Sequence, residues 1–235
     1  MFAEKRQIMK PTTIISIICI SAIIFGSCRA RTSTENQAET SDFAEIIEQT
    51  DAITKEDGVV INGVRWATRN VDAPGTFAQN PEDAGMFFQW NRRKGWNATD
   101  EEVEGWDSSI SEGTKWYAEN DPCPDGWRVP TYDELRSLVS LAYTSIFLTT
   151  KNGIDGLLFG NAPNQIFLPA VGFRSPFHNG ALRSTGRSAR FWSNTAVYEF
   201  EFDAWNLPFN IDAVGVGLNF SRFSWGFSIR CVAIE

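Results

Sequence analysis

One histidine, His178, is all the chain offers in 235 residues, with three methionines and four tyrosines. A lone histidine rules out a histidine-built metal set. The chain also lacks HExxH helices and nucleophile elbows of the G-x-S-x-G kind. Basic residues are scarce, with 21 Lys and Arg against 29 Asp and Glu and a formal charge of −8. A phosphate binder shows a basic stripe; none is present, so nucleic acid is not an expected partner and the negative charge serves solubility. No period of 20–50 residues recurs, which excludes a repeat array. The main long apolar run, Thr12–Phe25, falls short of the roughly 20 residues that a permanent membrane helix needs.

What is abundant is aromatic and turn-forming. Nine Trp, 18 Phe and 18 Gly point to sheets and loops rather than a helical bundle. Apolar content of 43% with 21% charged residues marks a globular bulk. The apolar run follows Lys5, Arg6 and Lys10, the pattern of an export signal. Met9-Lys10 would itself make a normal signal start, so translation from Met1 or from Met9 both remain open. Phe25-Gly26-Ser27-Cys28 resembles the lipobox of bacterial lipoproteins. That resemblance implies cleavage after residue 27 and a lipidated Cys28 as membrane anchor, in the cell envelope and facing an outer membrane. The rival is an ordinary secreted chain in which this cysteine is a coincidence. Cys19 sits inside the apolar run as a small apolar residue.

Residues 28–56 are rich in Thr, Glu, Ser and Asn and carry Phe43 as their one aromatic. Such a segment buries too little to fold alone and reads as a tether spanning roughly 30 Å. One short helix is expected at 41–47, where Asp42 and Glu45 have capping-box spacing. The folded domain is expected over 57–235. Val59 to Trp66 reads as a hairpin about Asn62-Gly63. Arg69–Gly75 reads as a loop, Met86–Trp90 as a buried run, and 91–121 as a long loop pegged by Trp96, Trp106 and Trp116. A helix is expected from Thr131, which has capping-box spacing to Glu134 and places Leu135, Leu138, Val139 and Ala142 on one face. Beyond 150 the chain reads as strand and turn, with strands at 166–173, 190–194, 204–209, 214–220 and 225–232.

With Cys19 and Cys28 accounted for, Cys123 and Cys231 remain. In an oxidising compartment they are expected to pair. The rival, a metal site with His178, has poor zinc spacing, so neither a metal nor a cofactor is expected.

The segment Asp121-Pro122-Cys123-Pro124-Asp125-Gly126-Trp127-Arg128-Val129-Pro130-Thr131 resembles the CP-x-GW-x-VP-[ST] signature of the Fibrobacter succinogenes major paralogous domain family. Gly63–Asn70, Leu168–Arg174, Phe191–Thr195 and Gly226–Val232 fit the same pattern in order, so the resemblance covers about 57–235. It implies an exported protein or lipoprotein of Bacteroidetes-type bacteria. It also implies an α+β, C-type-lectin-like fold of short antiparallel strands and long loops with one or two helices. Trp127, Trp192 and Trp225 then read as core plugs. Two departures limit the carry-over. Trp192-Ser193-Asn194 lacks the partner loop of a calcium-dependent sugar site, and Asn80–Asp83 lies in the wrong region for one. The reactive cysteine pair of the related formylglycine-generating enzymes is missing too.

The expectation is therefore a non-catalytic binding module, not an enzyme, for a glycan or a surface protein. The alternatives are a structural subunit such as a fimbrial tip, or an enzyme related to the formylglycine-generating group. Glu82, Asp83, Asp100, Glu101 and Glu102 could be paired acids, but a solvated loop accounts for them. Lectin-like folds bind on long loops between late strands. That selects Arg174, Phe177 and His178 in one loop, and Tyr198, Phe200 and Phe202 in an alternating aromatic–acidic stretch. An edge strand is the plainer reading of each stretch. Arg183, Arg187 and Arg190 can meet an anionic partner or form surface salt pairs.

Overall fold

Asn62 and Gly63 stand at φ 51° and 81°, the two left-handed residues that a tight hairpin turn requires. They join β1 (Val59–Ile61) to β2 (Val64–Trp66), with Ile61 opposite Val64 and Val59 opposite Trp66. This hairpin opens the described part of a computed structural model, which covers residues 57–140, 145–213 and 215–235. The export segment, Cys28, the tether with its short helix, Ala142 and Val214 lie outside the described residues. Every described residue belongs to the compact unit Thr54–Glu235. Among them, no helix is long and apolar enough to cross a membrane.

The remaining strands are β3 (Phe87–Gln89), β4 (Gly95–Trp96), β5 (Trp127–Arg128), β6 (Ile146–Lys151), β7 (Ile154–Asn161) and β8 (Asn164–Pro169). They continue as β9 (Phe173–Arg174), β10 (Leu182–Arg183), β11 (Ser188–Ala196), β12 (Asp203–Asn210), β13 (Asn219–Arg222), β14 (Gly226–Phe227) and β15 (Val232–Ala233). They form four antiparallel sheets, ordered β1-β2-β15-β5, β10-β9-β14-β3-β4, β11-β12-β13 and β6-β7-β8. One α-helix, α1 (Tyr132–Val139), and a 3₁₀ turn at Ala118–Asn120 complete the secondary structure of the described residues. The described residues thus form a mainly antiparallel β fold with a single α-helix.

The start of α1 follows from two side chains. Thr131 accepts from the Glu134 amide while the Glu134 carboxylate accepts from the Thr131 amide, so each satisfies an orphan donor of the first turn. Glu134 also takes a two-pronged bond from Arg128 at 2.7 and 2.8 Å, tying α1 to β5. Leu135 and Leu138 bury one face.

Four secondary-structure expectations change. The run 166–173 is not one strand: it divides between Asn164–Pro169 and Phe173–Arg174, which lie in different sheets. The run 225–232 is not one strand: Gly226–Phe227 lies in one sheet, Ser228 bridges Phe191 in parallel, and Val232 pairs with Trp66 and Arg128 in another sheet. Every residue from Gly226 to Val232 is buried. A segment with no solvent face threads between sheets instead of lying on one. The run 214–220 is strand only from Asn219. A Cβ at Gly215 or Gly217 would meet nothing, so these residues give a sheet no surface to pack. Within 91–121, Gly95–Trp96 forms a strand against β3.

The core has two parts, and β11 divides them. Its alternation sends Ala189 and Phe191 into a cluster with Trp66, Phe87, Leu135, Leu138 and Phe159. It sends Trp192 into a cluster with Phe88, Trp90, Phe227 and the Cys123–Cys231 disulfide, whose cysteines are 108 residues apart. Trp192 is fully buried and donates its indole N–H to the Phe88 carbonyl at 2.8 Å. Trp127 and Trp225 pack against the same cluster only half-buried. Trp127 flanks rather than plugs the core, with Phe77 edge-on to it.

Candidate functional site, an aromatic groove at the tip of β11 and β12

The tip between β11 and β12 is short and tied down. The Val197 amide donates to the Asp203 carbonyl at 2.7 Å, and the Phe223 amide donates to the Phe202 carbonyl at 2.9 Å. Phe202 stands at φ 72°, a left-handed conformation that costs a bulky residue about 1–3 kcal/mol and persists where neighbours enforce it. The stretch 198–202 is a loop, not the edge strand weighed from the sequence.

The opposite wall is residues 112–114. The Asn91 side chain donates to the Glu112 carbonyl at 2.7 Å, and Lys115 bridges Thr195. Gly113, at φ 111°, sits where a Cβ would fall 2.7 Å from the Tyr117 hydroxyl, so a larger residue would push this wall away. Between the walls lies a cavity of about 630 Å³, lined by Glu112, Thr114, Tyr198 to Phe202 and Phe223.

Aromatic side chains extend beyond the groove. Phe200, 47% exposed, stacks on Phe220 at 4.9 Å. Phe220 meets Trp205 edge-on, and Trp205 lies 4.7 Å from Tyr132. Tyr198 is fully exposed. Of the sequence-selected residues, Tyr198, Phe200 and Phe202 therefore share one groove, joined by Phe220 and Trp205. Register explains why these two were missed: they are 15 residues apart but directly opposite in β12–β13.

The other selected loop holds to different neighbours. Phe177 is 66% exposed and His178 lies beside it at φ 52°. Arg174, however, is wholly buried. It donates to the carbonyls of Asn97 at 2.6 and 2.9 Å, Gly180 at 2.6 Å and Asp100 at 3.0 Å. Burial pushes its guanidinium below the ordinary value, with Asp100 opposing. Arg174 is therefore withdrawn from the ligand surface; it buckles two loops together.

Arg187 pairs with Asp212 at 2.6 Å, as a surface salt pair. Arg190 does not form such a pair. Its guanidinium lies over Phe173 at 4.9 Å and Phe227 at 5.5 Å. Asp100, Glu101 and Glu102 are exposed, but Glu82 is only 7% exposed, against the reading of a wholly solvated acidic loop. Among the described residues, no group of three or more His, Cys, Asp or Glu is placed to hold a metal ion. Ser193 and Asn194, after Trp192, face their own neighbours. The Ser193 hydroxyl donates to the Trp205 carbonyl, and the Asn194 side-chain oxygen accepts from Thr195.

Comparison of the chain with protein-family models, with curated proteins and with solved structures finds no match in any of the three.

Proposed function

We propose that this chain is a lipid-anchored binding protein of the bacterial cell envelope, held at an outer membrane through Cys28. In this reading its domain is related to the Fibrobacter succinogenes major paralogous family, with a C-type-lectin-like fold, and it holds a glycan in the groove between 112–114 and 198–202. The observation that carries the proposal is the aromatic surface: Tyr198 and Phe200 exposed at the groove, with Phe220 and Trp205 continuing it. Apolar rings left in water at a concave site mark a binding surface, and ring faces stack on sugar rings. Glu112, Glu199 and Glu201 beside them can accept hydrogen bonds from sugar hydroxyls. A groove of this kind fits a few sugar rings better than it fits a flat protein surface. In this reading the groove holds its ligand and carries out no reaction on it.

The test is a glycan array probed with the purified protein, with and without a calcium chelator. The expected result is selective binding that the chelator leaves unchanged. Tyr198→Ala and Phe200→Ala should each weaken it about tenfold, or ~1.4 kcal/mol, while Phe177→Ala leaves it unchanged. Absence of any bound glycan would overturn the reading in favour of a protein partner or a structural subunit. Loss on chelation would replace it with a calcium-dependent sugar site.

A further inference from the structure

Two arginines converge on the ring of Phe173 without meeting a carboxylate. Arg183, exposed on the edge strand β10, stands directly opposite Phe173 in β9, so both side chains leave the same face of that ladder. Arg190 reaches the same ring from β11. Its guanidinium lies 4.9 Å from the Phe173 centroid, 5.5 Å from Phe227 and 6.0 Å from Trp225. Phe173 and Trp225 touch at 5.5 Å, and both are only half-buried. Neither Arg183 nor Arg190 enters an ion pair among the described residues. Acids outnumber bases in this chain by 29 to 21, yet none is placed here.

The faces and the edge of the Arg190 guanidinium have different neighbours. The rings stabilise the cation through their π faces, but they do not accept its in-plane N–H protons. Only Nη1 has an acceptor, Ser221 Oγ at 3.3 Å, and the fully buried Asn206 donates to the same oxygen. Arg190 Nε and Nη2 have no acceptor among the described residues and stay open to solvent. Burial alone pushes this guanidinium below its ordinary value, with no acid opposing. A half-buried cation with donors to spare is stabilised by an anion that brings acceptors into its plane.

We propose that this face binds the carboxylate of a small acidic ligand that carries a flat apolar ring. The carboxylate accepts from Nε and Nη2 of Arg190, the two-pronged geometry that a planar fork suits. Arg183 supplies a second positive charge from the edge strand, and the ring of the ligand rests on Trp225. None of these residues lines the groove at the β11–β12 tip, so the site is independent of the glycan reading.

The test is an NMR titration of the ¹⁵N-labelled full chain with sodium benzoate, with benzamide as the neutral probe of the same shape. A saturable shift of the Arg190 Nε–H resonance is expected, assigned by its loss in Arg190→Lys. Benzamide should bind at least about tenfold more weakly. Arg190→Lys keeps the charge but loses the fork, and should weaken benzoate binding at least about tenfold. Arg183→Ala changes an exposed residue and should weaken it several-fold, which keeps the test decisive if Arg190→Lys fails to fold. Arg187→Ala removes an arginine already paired with Asp212 and should leave binding unchanged. Phe200→Ala should also leave it unchanged, so failure here and failure of the glycan reading are separable. Equal binding of benzoate and benzamide would overturn the proposal. So would full affinity in Arg190→Lys or Arg183→Ala, an equal loss in Arg187→Ala, or no saturable binding by the wild-type protein.

Discussion

Arg174 and Arg230 do the same work at two places: each brings a guanidinium to carbonyl oxygens of distant segments. Arg230, also buried, donates to the Asn70 side chain at 2.7 Å and to the carbonyls of Thr68 at 2.6 Å and Phe167 at 3.0 Å. A planar fork reaches several acceptors at once, and lysine cannot replace it. Arg174→Lys should therefore lower stability by about 2–3 kcal/mol, read from urea unfolding, while leaving ligand binding at the β11–β12 groove unchanged. A variant of normal stability with impaired binding would return Arg174 to the ligand surface. Neither arginine announces its role in the sequence. Arg174 precedes Ser-Pro in what reads as an exposed loop, and apart from the nearby Gly180 carbonyl its acceptors lie 74–77 residues away in the polar segment 97–100. Glu82 was illegible for the same reason: its hydrogen-bond partner Asn152 is 70 residues distant. The aromatic run of Tyr198, Phe200 and Phe202 was legible as a candidate surface, but its alternation with Glu199 and Glu201 reads as one face of an edge strand, so the loop that exposes the rings was not.

At the scale of elements, what local chemistry decides could be read ahead. The Asn62-Gly63 turn and the Thr131–Glu134 capping box each need only residues within four positions of one another. Which strand lies beside which could not be read, because β15 between β2 and β5 depends on residues more than 100 positions apart. The capping box also gives α1 a pH dependence. Burial pushes the Glu134 carboxyl up, but the Arg128 fork and the Thr131 amide outweigh it, and the group sits below its ordinary value. A carboxyl lowered in the folded state contributes stability above its unfolded value, about 4.3, and loses it as pH falls through the lower folded value. Glu134→Gln should therefore flatten the fall in urea midpoint below about pH 4. Thr131→Ala should cost about 1 kcal/mol at pH 7. An unchanged midpoint in Thr131→Ala would mean that Leu135 and Leu138 alone hold the helix.

For the whole molecule, one covalent bond closes a long circuit. Cys123 and Cys231 are 108 residues apart, and cross-linking a loop of that order lowers unfolded-chain entropy by about 4–5 kcal/mol in stability terms. Cys123→Ser with Cys231→Ser should lose about 4 kcal/mol, measured by urea unfolding against the oxidised parent. A loss below about 1 kcal/mol would show that β15 stays between its neighbours by hydrogen bonding and burial alone. The pairing itself could be argued from cysteine count and compartment. The two-part core could not, because β11 reads as a single strand and only the assembled sheets show that both of its faces are covered.

The place of β15 in the middle of its sheet also fixes a timetable. β1 and β2 are synthesised long before β15 and can close their own hairpin, but the inner edge of β2 stays bare until residues 232–233 arrive. β5 waits for the same two residues. A ribosome that stalls at any earlier codon releases a chain with two unsatisfied strand edges and Cys123 without its mate. Such a chain is a natural target for proteases and chaperones that recognise open edges. Only a polypeptide read through to Val232 can hide the inner edge of β2.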